Sequence, residues 1–193
     1  GDKVLPSMFI FTEKRNPDDS VKEHKARLVV IDNSKSMSGD SVFSPVVGME
    51  TLNCALSCAA LIDEEIERID FSSAFIQSAV NEEVLVRPPK GYEEVDEYGR
   101  QLCYKLKKCL YGLQQAPRCF NEMLQKFLEH VGWEQSAVDP GLYTRVVGGE
   151  WYKVLVWVDD LILIGEDIEV LTTFKAELAE TFEVKDLDGC DGE

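Results

Sequence analysis

The adjacent acids Asp159 and Asp160 are the residues whose types and spacing most directly suggest chemistry. Apolar runs flank them, Lys153–Val158 before the pair and Leu161–Gly165 after it. Taking two neighbouring carboxylates out of water is costly, and a bound cation removes much of that cost. The alternative interpretation is that aspartate is a common turn residue and that both side chains face solvent.

The two apolar runs predict the elements that must position this pair. Each run is short, rich in Val, Ile and Leu, and free of polar alternation, which is typical of strands buried on both faces, or nearly so. The runs predict a hairpin whose two-residue turn is Asp159-Asp160. Such turns usually have Gly or Asn at a central position, and neither is present, which favours a role for the acids beyond turn formation.

The rest of the chain predicts an α+β fold. Strands over Met8–Glu13 and Lys25–Ile31 form a ribbon around the turn Asn16–Asp19. Amphipathic patterns predict helices over Glu50–Glu65 and Ile168–Phe182. A further helix carries the apolar stripe Phe120, Met123, Leu124, Phe127, Leu128 and Val131. Because strands and helices are mixed and the central hairpin is antiparallel, the sequence indicates α+β architecture.

Charge constrains the binding partners of the chain. Its 20 Lys and Arg residues against 36 Asp and Glu residues give a net charge of −16, the wrong sign for a nucleic-acid binder. Such binding would need local basic patches, metal ions or further segments. Lys25 and Arg27 form one candidate patch, since residues two apart project from the same face of a strand. The alternative for these two residues is ordinary solvated strand charge.

Cysteine spacing and hydropathy indicate the compartment. None of the six cysteines forms a CxxC pair, so we expect reduced intracellular thiols rather than a disulfide framework. No apolar run approaches the roughly 20 residues of a membrane span. The N-terminus has no signal-peptide pattern, and we expect it to be a cut rather than a natural start.

Six blocks, in this order, resemble the reverse transcriptases of copia-type (pseudovirus) long-terminal-repeat retrotransposons. The blocks are Lys25–Val29, Phe43–Val47, Asp70–Phe75, Leu110–Arg118, Asp139–Tyr143 and Trp157–Asp160. The likeness runs from about Met8 to Gly189. One Asp-Asp pair is a weak signal, whereas six ordered blocks are a strong one.

The resemblance implies a single reverse transcriptase domain over residues 1–193. Its fingers would comprise residues 1–45 and 79–118, and its palm residues 46–78 and 119–193. The palm would be an antiparallel sheet with helices on one face. The resemblance also implies that the thumb and ribonuclease H segments of a longer polyprotein are absent from this chain.

The resemblance assigns the catalytic acids. Asp70, Asp159 and Asp160 would be catalytic and, with the Phe71 carbonyl, would ligate two Mg²⁺ ions, with Mn²⁺ as an alternative ion. Hard oxygen ligands suit these ions. Phe75 matches the aromatic that stacks under the sugar and excludes a ribose 2′-hydroxyl. The structural alternative is that Phe75 belongs to the core.

The resemblance also assigns residues to the incoming nucleotide. Lys25 and Arg27 would grip its triphosphate, as a point charge and a fork respectively. Ser73 and Ala74 would offer backbone N–H groups to the phosphates. Gln115 would brace the nucleotide, with a helix start as its structural alternative.

The implied activity is RNA-directed DNA polymerisation, in which deoxynucleoside triphosphates extend the primer 3′-hydroxyl of an RNA/DNA template–primer. The implied location is intracellular, with no membrane partner. If the chain is part of an active element, the location would be a cytoplasmic virus-like particle or the nucleus.

Departures from the family pattern motivate an alternative. Trp157 replaces the usual Tyr, Gln77-Ser78 replaces Asn-Gly, and Gln114 replaces a Lys. Together with the acidic balance, these departures suggest a diverged or decaying copy, although all three acids are retained. The alternative function is therefore an inactive remnant that acts as a structural or interaction module. A generic metal-dependent phosphohydrolase is a third hypothesis, but the two histidines, His24 and His130, form no ligand-spaced pair.

Overall fold

The computed structural model of the chain describes residues 4–33 and 44–186. Phe43, Gly189 and Cys190 therefore lie outside the described residues. The elements, in chain order, are β1 (Val4–Leu5), β2 (Ser7–Arg15), β3 (Val21–Val30), α1 (Met49–Ile62), β4 (Glu65–Phe71), a 3₁₀ helix (Ala74–Gln77), β5 (Leu85–Val86), β6 (Tyr104–Lys105), α2 (Ala116–His130), β7 (Glu134–Gln135), β8 (Leu142–Val147), β9 (Glu150–Trp157), β10 (Asp160–Gly165), α3 (Ile168–Thr181) and β11 (Val184–Asp186). Within these ranges, no helix combines the length and the apolar character needed to cross a bilayer.

The chain divides into two compact units, residues 1–42 with 78–119 and residues 43–77 with 120–193. In the first unit, β2 and β3 form the predicted antiparallel ribbon. A small second sheet joins β1, β5 and β6, in which β1 runs parallel to β5 and β6 runs antiparallel to it.

A loop of the first unit packs closely against the end of β3. The Val30 N–H donates to the Tyr111 carbonyl at 2.8 Å. Gly112 has φ +91°, and a Cβ at this position would lie 1.9 Å from the Val30 carbonyl oxygen. The glycine of the Leu110–Arg118 block is therefore required by a backbone contact that leaves no room for a side chain.

The described part of the second unit holds a six-stranded sheet in the order β11-β4-β10-β9-β8-β7. Every neighbouring pair in this sheet is antiparallel. The predicted central hairpin is confirmed as β9 and β10. β8 pairs with the other edge of β9 across the turn Gly148-Gly149. β10 lies between β4 and β9, so the apolar run after the acid pair is the interior of the sheet.

Helices cover both faces of this sheet, so the expectation of helices on one face is wrong. On one face, α2 and α3 pack through Phe120, Leu128 and Phe174 into the main core. On the other face, α1 packs through Ala55 and Ala59 against Leu155 of β9 and Ile164 of β10. The cause is the uninterrupted apolar run itself, because strands without polar alternation must be covered on both sides.

The end of α1 also differs from the sequence prediction. The helix ends at Ile62, and Asp63 adopts the left-handed conformation with φ 61° while its N–H bonds to the Ala59 carbonyl. Glu65 already belongs to β4, where it pairs with Gly165 of β10. Cross-strand pairing thus overrides the helix preference of the glutamate-rich segment.

Asp139 joins the start of β8 to the start of α1. Its carboxylate accepts hydrogen bonds from the Gly48 and Gly141 N–H groups, each at 2.9 Å. Its burial raises the pKa, but hydrogen bonds from Thr51, Gly48 and Gly141 outweigh this effect and hold the pKa below its ordinary value of 3.8. The carboxylate also faces the positive end of the helix dipole. The Asp139–Tyr143 block is therefore structural in origin.

Asp139→Asn should lower the free energy of unfolding at neutral pH by about 1–3 kcal/mol, because a buried charged acceptor of several hydrogen bonds is lost. Since folding lowers the pKa of Asp139, its stabilisation is complete above the unfolded-state value and is lost as the pH falls through the folded-state value. The variant should therefore lose part of the acid dependence of stability. Urea denaturation across an acid pH series measures both effects.

Asp19→Asn is the matched control, since Asp19 is an exposed acid in the ribbon turn. We expect it to change the unfolding free energy by less than about 0.5 kcal/mol. Equal losses in the two variants would contradict the stabilising role assigned to the hydrogen bonds of Asp139.

Candidate active site

Strand pairing brings the three predicted acids to one end of the second unit's sheet. Asp70, near the end of β4, lies directly opposite Asp160, the first residue of β10. The Phe71 N–H donates to the Asp159 carbonyl at 3.0 Å, which ties the end of β4 to the hairpin turn. Two residues that are remote in sequence from Asp70 thus become its neighbours through sheet register alone.

The hairpin turn is Val158-Asp159, so the prediction that Asp159-Asp160 form it is wrong by one residue. Asp160 already pairs with Trp157 as part of the ladder. Val158 has φ 53°, in the left-handed region that a β-branched residue rarely adopts. Val158 therefore adopts, with strain, the left-handed turn conformation that Gly or Asn would adopt easily. Backbone strain of this kind is concentrated at functional sites.

The acids share their face of the sheet with two cations. Arg68 precedes Asp70 by two residues on β4, so both side chains project from the same face. Arg68 Nη2 contacts Asp160 Oδ1 at 2.9 Å. On the other side of β4, Lys185 of β11 lies opposite Asp70. Asp70 therefore has an acid as one cross-strand neighbour and a lysine as the other.

Sequence reasoning missed both cations. The position of Arg68 could have been predicted, because two residues that are two apart on a strand project from the same face, as Arg68 and Asp70 do. The position of Lys185 beside Asp70 could not have been predicted, because the register of β11 against β4 depends on tertiary packing rather than on local spacing.

The donor chemistry of the three acids fits a hard divalent cation. Asp159 Oδ1 is buried, and carboxylate oxygens are the ligands that Mg²⁺ and Mn²⁺ prefer. Within the part of the chain that the structure describes, no three His, Cys, Asp or Glu side chains form a ready-made ligand group. The Asp160 carboxylate is instead directed at Arg68, so ligation by all three acids requires this side chain to turn.

The residues after Asp70 form a tight turn. Ser73 is exposed and has φ 53°, and its carbonyl accepts from the Ile76 N–H at 3.1 Å. Ala74 is fully buried in the main core. Phe75 is half-buried and packs against the same core, which agrees with its structural alternative and leaves part of the ring accessible.

Gln77 braces this turn against the segment before β11. Its Nε2 donates to the Ser72 carbonyl at 2.8 Å and to the Glu183 carbonyl at 2.9 Å. In return, the Glu183 N–H donates to Gln77 Oε1 at 2.8 Å. In the sequence, Gln77 stands out only as a departure from the family pattern. In the structure its amide holds the segment before β11, and with it Lys185, beside the end of β4.

The first unit contains the other predicted nucleotide residues. Lys25 and Arg27 project from one face of β3, as their spacing predicted. Lys25 Nζ lies 3.4 Å from a Glu23 carboxylate oxygen, and the Arg27 guanidinium lies over the Tyr111 ring at 5.6 Å. Both cations are thus held by neighbours within this unit.

Gln115 has a buried amide that lacks a protein acceptor. Its Nε2 is shielded from solvent and makes no hydrogen bond to any residue in the described ranges. A buried donor left in this state costs about 1–3 kcal/mol, and a ligand acceptor would remove that cost. This is the strongest sign of ligand binding in the first unit.

Comparison with known proteins gives a consistent family relationship. The family described as Reverse transcriptase (RNA-dependent DNA polymerase) matches residues 1–191. The chain is 33% identical over 190 residues to the retrovirus-related Pol polyprotein from transposon TNT 1-94 of Nicotiana tabacum. The aligned region covers 97% of this chain and 14% of that polyprotein. It is also 33% identical over 185 residues to the retrovirus-related Pol polyprotein from transposon RE1 of Arabidopsis thaliana. That aligned region covers 95% of this chain and 12% of the polyprotein.

A putative transposon Ty5-1 protein of Saccharomyces cerevisiae is 30% identical over 119 residues, covering 62% of this chain and 38% of that protein. The chain thus spans 14% of the length of the tobacco polyprotein and 12% of the length of the Arabidopsis polyprotein. The resemblance inferred from the six sequence blocks is confirmed.

Val158→Asn should raise the free energy of unfolding by about 1 kcal/mol, because asparagine tolerates the left-handed conformation that strains valine. Val138→Asn is the control, since Val138 is 93% exposed in a loop. Urea denaturation of both variants measures the difference. A loss of stability in Val158→Asn would contradict the interpretation of the turn as strained.

Proposed function

Because the chain belongs to the reverse transcriptase (RNA-dependent DNA polymerase) family, we propose that it is the polymerase core of a copia-type retrotransposon Pol polyprotein. The proposed reaction is nucleotidyl transfer to a primer 3′-hydroxyl, directed by an RNA template. The observation that carries this proposal is the register of β4 and β10, which sets Asp70 opposite Asp160 beside the turn containing Asp159.

In this proposal the two compact units take the roles of fingers and palm. The first unit, with its ribbon and small sheet, corresponds to the fingers, and the second, with the six-stranded sheet, corresponds to the palm. Thumb and ribonuclease H segments would belong to other parts of the polyprotein.

Asp70, Asp159 and Asp160, with the Phe71 carbonyl, are the proposed ligands of two Mg²⁺ or Mn²⁺ ions. When bound, such ions activate the primer hydroxyl and neutralise charge on the departing pyrophosphate. The chain's own contribution is to hold these oxygens at the end of a rigid sheet, where Ile69 and Phe71 are locked into the core on either side of Asp70. Asp160 contributes its carboxylate once it leaves Arg68.

Each unit, taken by itself, contains residues proposed to bind the deoxynucleoside triphosphate. In the first unit, Lys25 and Arg27 would bind phosphate oxygens and Gln115 would donate its unpaired amide N–H. These three side chains share a unit in which the Tyr111 loop is bonded to β3.

In the second unit, Ser73 and Ala74 would present backbone N–H groups to the phosphates. The accessible part of the Phe75 ring would lie under the sugar. The tight turn at Ser73, whose φ is 53°, supports this role, because successive backbone N–H groups in a turn can form an anion-binding concavity.

A non-catalytic structural or interaction module is the second candidate function. The observation that favours it is the ion pair that already occupies Asp160. This candidate expects a folded chain that neither binds divalent ions at the three acids nor extends a primer.

Asp159→Asn should reduce primer extension on an RNA template by at least about 100-fold, because a ligand of the ions that stabilise the transition state is lost. The assay uses an RNA template, a DNA primer, deoxynucleoside triphosphates and Mg²⁺. It is run on this chain and on the same chain within a longer Pol polyprotein.

Asp63→Asn is the matched control, because Asp63 is an exposed acid of the same unit in a left-handed conformation that asparagine accepts. Unchanged activity in Asp159→Asn would rule out the assigned mechanism. Absence of extension by the unaltered chain in both settings would favour the non-catalytic module.

Gln115→Ala should raise the KM for deoxynucleoside triphosphates about tenfold, since a buried hydrogen bond to the ligand is worth about one such factor. The apparent affinity for template–primer should remain unchanged. Gln125→Ala serves as the control, because it removes an amide of α2 that donates to Glu129 one turn further along the helix. An equal KM in the Gln115 and Gln125 variants would contradict the nucleotide role of Gln115.

A further inference from the structure

Arg68 occupies an unusual position among the three acids. Its cross-strand partner on β10 is Ile162, whereas the partner of Asp70 is Asp160, so Arg68 is the diagonal neighbour of Asp160 on the same face. The guanidinium reaches across this diagonal, and Nη2 donates to Asp160 Oδ1 at 2.9 Å. The side chain of Asp160 is only 27% exposed, so the contact is partly shielded from water.

A purely structural role does not account for this pair. β4 and β10 are already joined by a continuous register from Asp160–Asp70 to Gly165–Glu65. A partly exposed ion pair adds at most about 1 kcal/mol to such a ladder. The contact matters more for the charge at the acid site than for the cohesion of the sheet.

The Arg68 guanidinium keeps its charge at every physiological pH. It therefore always competes with a metal cation for the Asp160 carboxylate. A divalent ion that takes Asp160 as a ligand must separate Asp160 from Arg68, and the repulsion between ion and guanidinium adds to that cost. This competition agrees with the absence of a ready-made group of three ligands in the described ranges.

We propose that Arg68 is a built-in counter-ion of Asp160 that weakens the binding of free divalent cations to the three-acid site. The proposal rests on the proposed polymerase function. Under it, Asp160 leaves Arg68 more readily when ions arrive with the further negative charge of a triphosphate. Ion loading therefore depends more on the nucleotide than on the concentration of free metal.

The test measures Mn²⁺ binding to the chain in the absence of nucleotide, by titration calorimetry and by the electron paramagnetic resonance signal of free Mn²⁺. Arg68→Gln should tighten Mn²⁺ binding by about three- to tenfold, since loss of the pair and of a nearby positive charge both favour the ion. Arg68→Lys, which keeps the charge, should stay closer to the unaltered chain. Arg68→Met is a second neutral variant should the glutamine variant fail to fold.

Arg145→Gln is the matched control, because it removes the same charge from β8 of the same unit, where Arg145 lies 4.0 Å from Glu177. Its effect should be below about twofold, because salt screens distant charges. In an Asp160→Asn background, Arg68→Gln should have a smaller effect, since the pairing of Arg68 with Asp160 is already lost and only the change in local charge remains.

The possible outcomes distinguish failure of the counter-ion role from failure of the proposed polymerase function. If the unaltered chain binds Mn²⁺ and Asp70→Asn abolishes that binding, the three-acid site stands. An unchanged or weaker affinity in Arg68→Gln then overturns the counter-ion role alone. If the unaltered chain and Asp70→Asn bind Mn²⁺ equally, the proposed metal site fails, and the counter-ion role fails with it.

Discussion

The register between β4 and β10 is the constraint on which the rest of the site depends. Ile69 and Phe71 face the main core, so Asp70 between them must face the other way. A slip of one residue would drive Asp70 into that core and expose two large apolar side chains. Core packing on one side of the sheet thus fixes the position of a carboxylate on the other side, and pairing with β10 then brings Asp160 opposite it.

A second set of contacts holds the hairpin from the side of α1. The Val47 N–H donates to the Val156 carbonyl at 2.9 Å, and the Val156 N–H donates to the Gly141 carbonyl at 2.8 Å. A Cβ on Gly141 would lie 2.1 Å from the Val47 nitrogen, so this approach depends on glycine. With Asp139 bonded to Gly48, these contacts anchor β9 just before the strained turn at Val158.

Periodicity predicted those elements whose burial is set by their own sequence. α2 and α3 follow from apolar stripes, and the hairpin of β9 and β10 follows from two uninterrupted apolar runs. The end of α1 was missed because the left-handed Asp63 and the pairing of Glu65 are decided by tertiary contacts. The turn was misplaced by one residue because nothing local distinguishes Val158-Asp159 from Asp159-Asp160 once glycine is absent. The acids were identifiable by type, whereas the pairing of Lys185 with Asp70 was not.

Net charge and local charge act differently in this chain. A charge of −16 attracts divalent ions everywhere on the surface, which gives no selectivity for one site. Selectivity must come from geometry, and here Arg68 and Lys185 lie on the face that carries Asp70 and Asp160. Arg68 and Lys185 therefore offset part of the negative charge of the acids on that face. Ions at the proposed site would be held by the arrangement of oxygens and by the charge that the nucleotide adds.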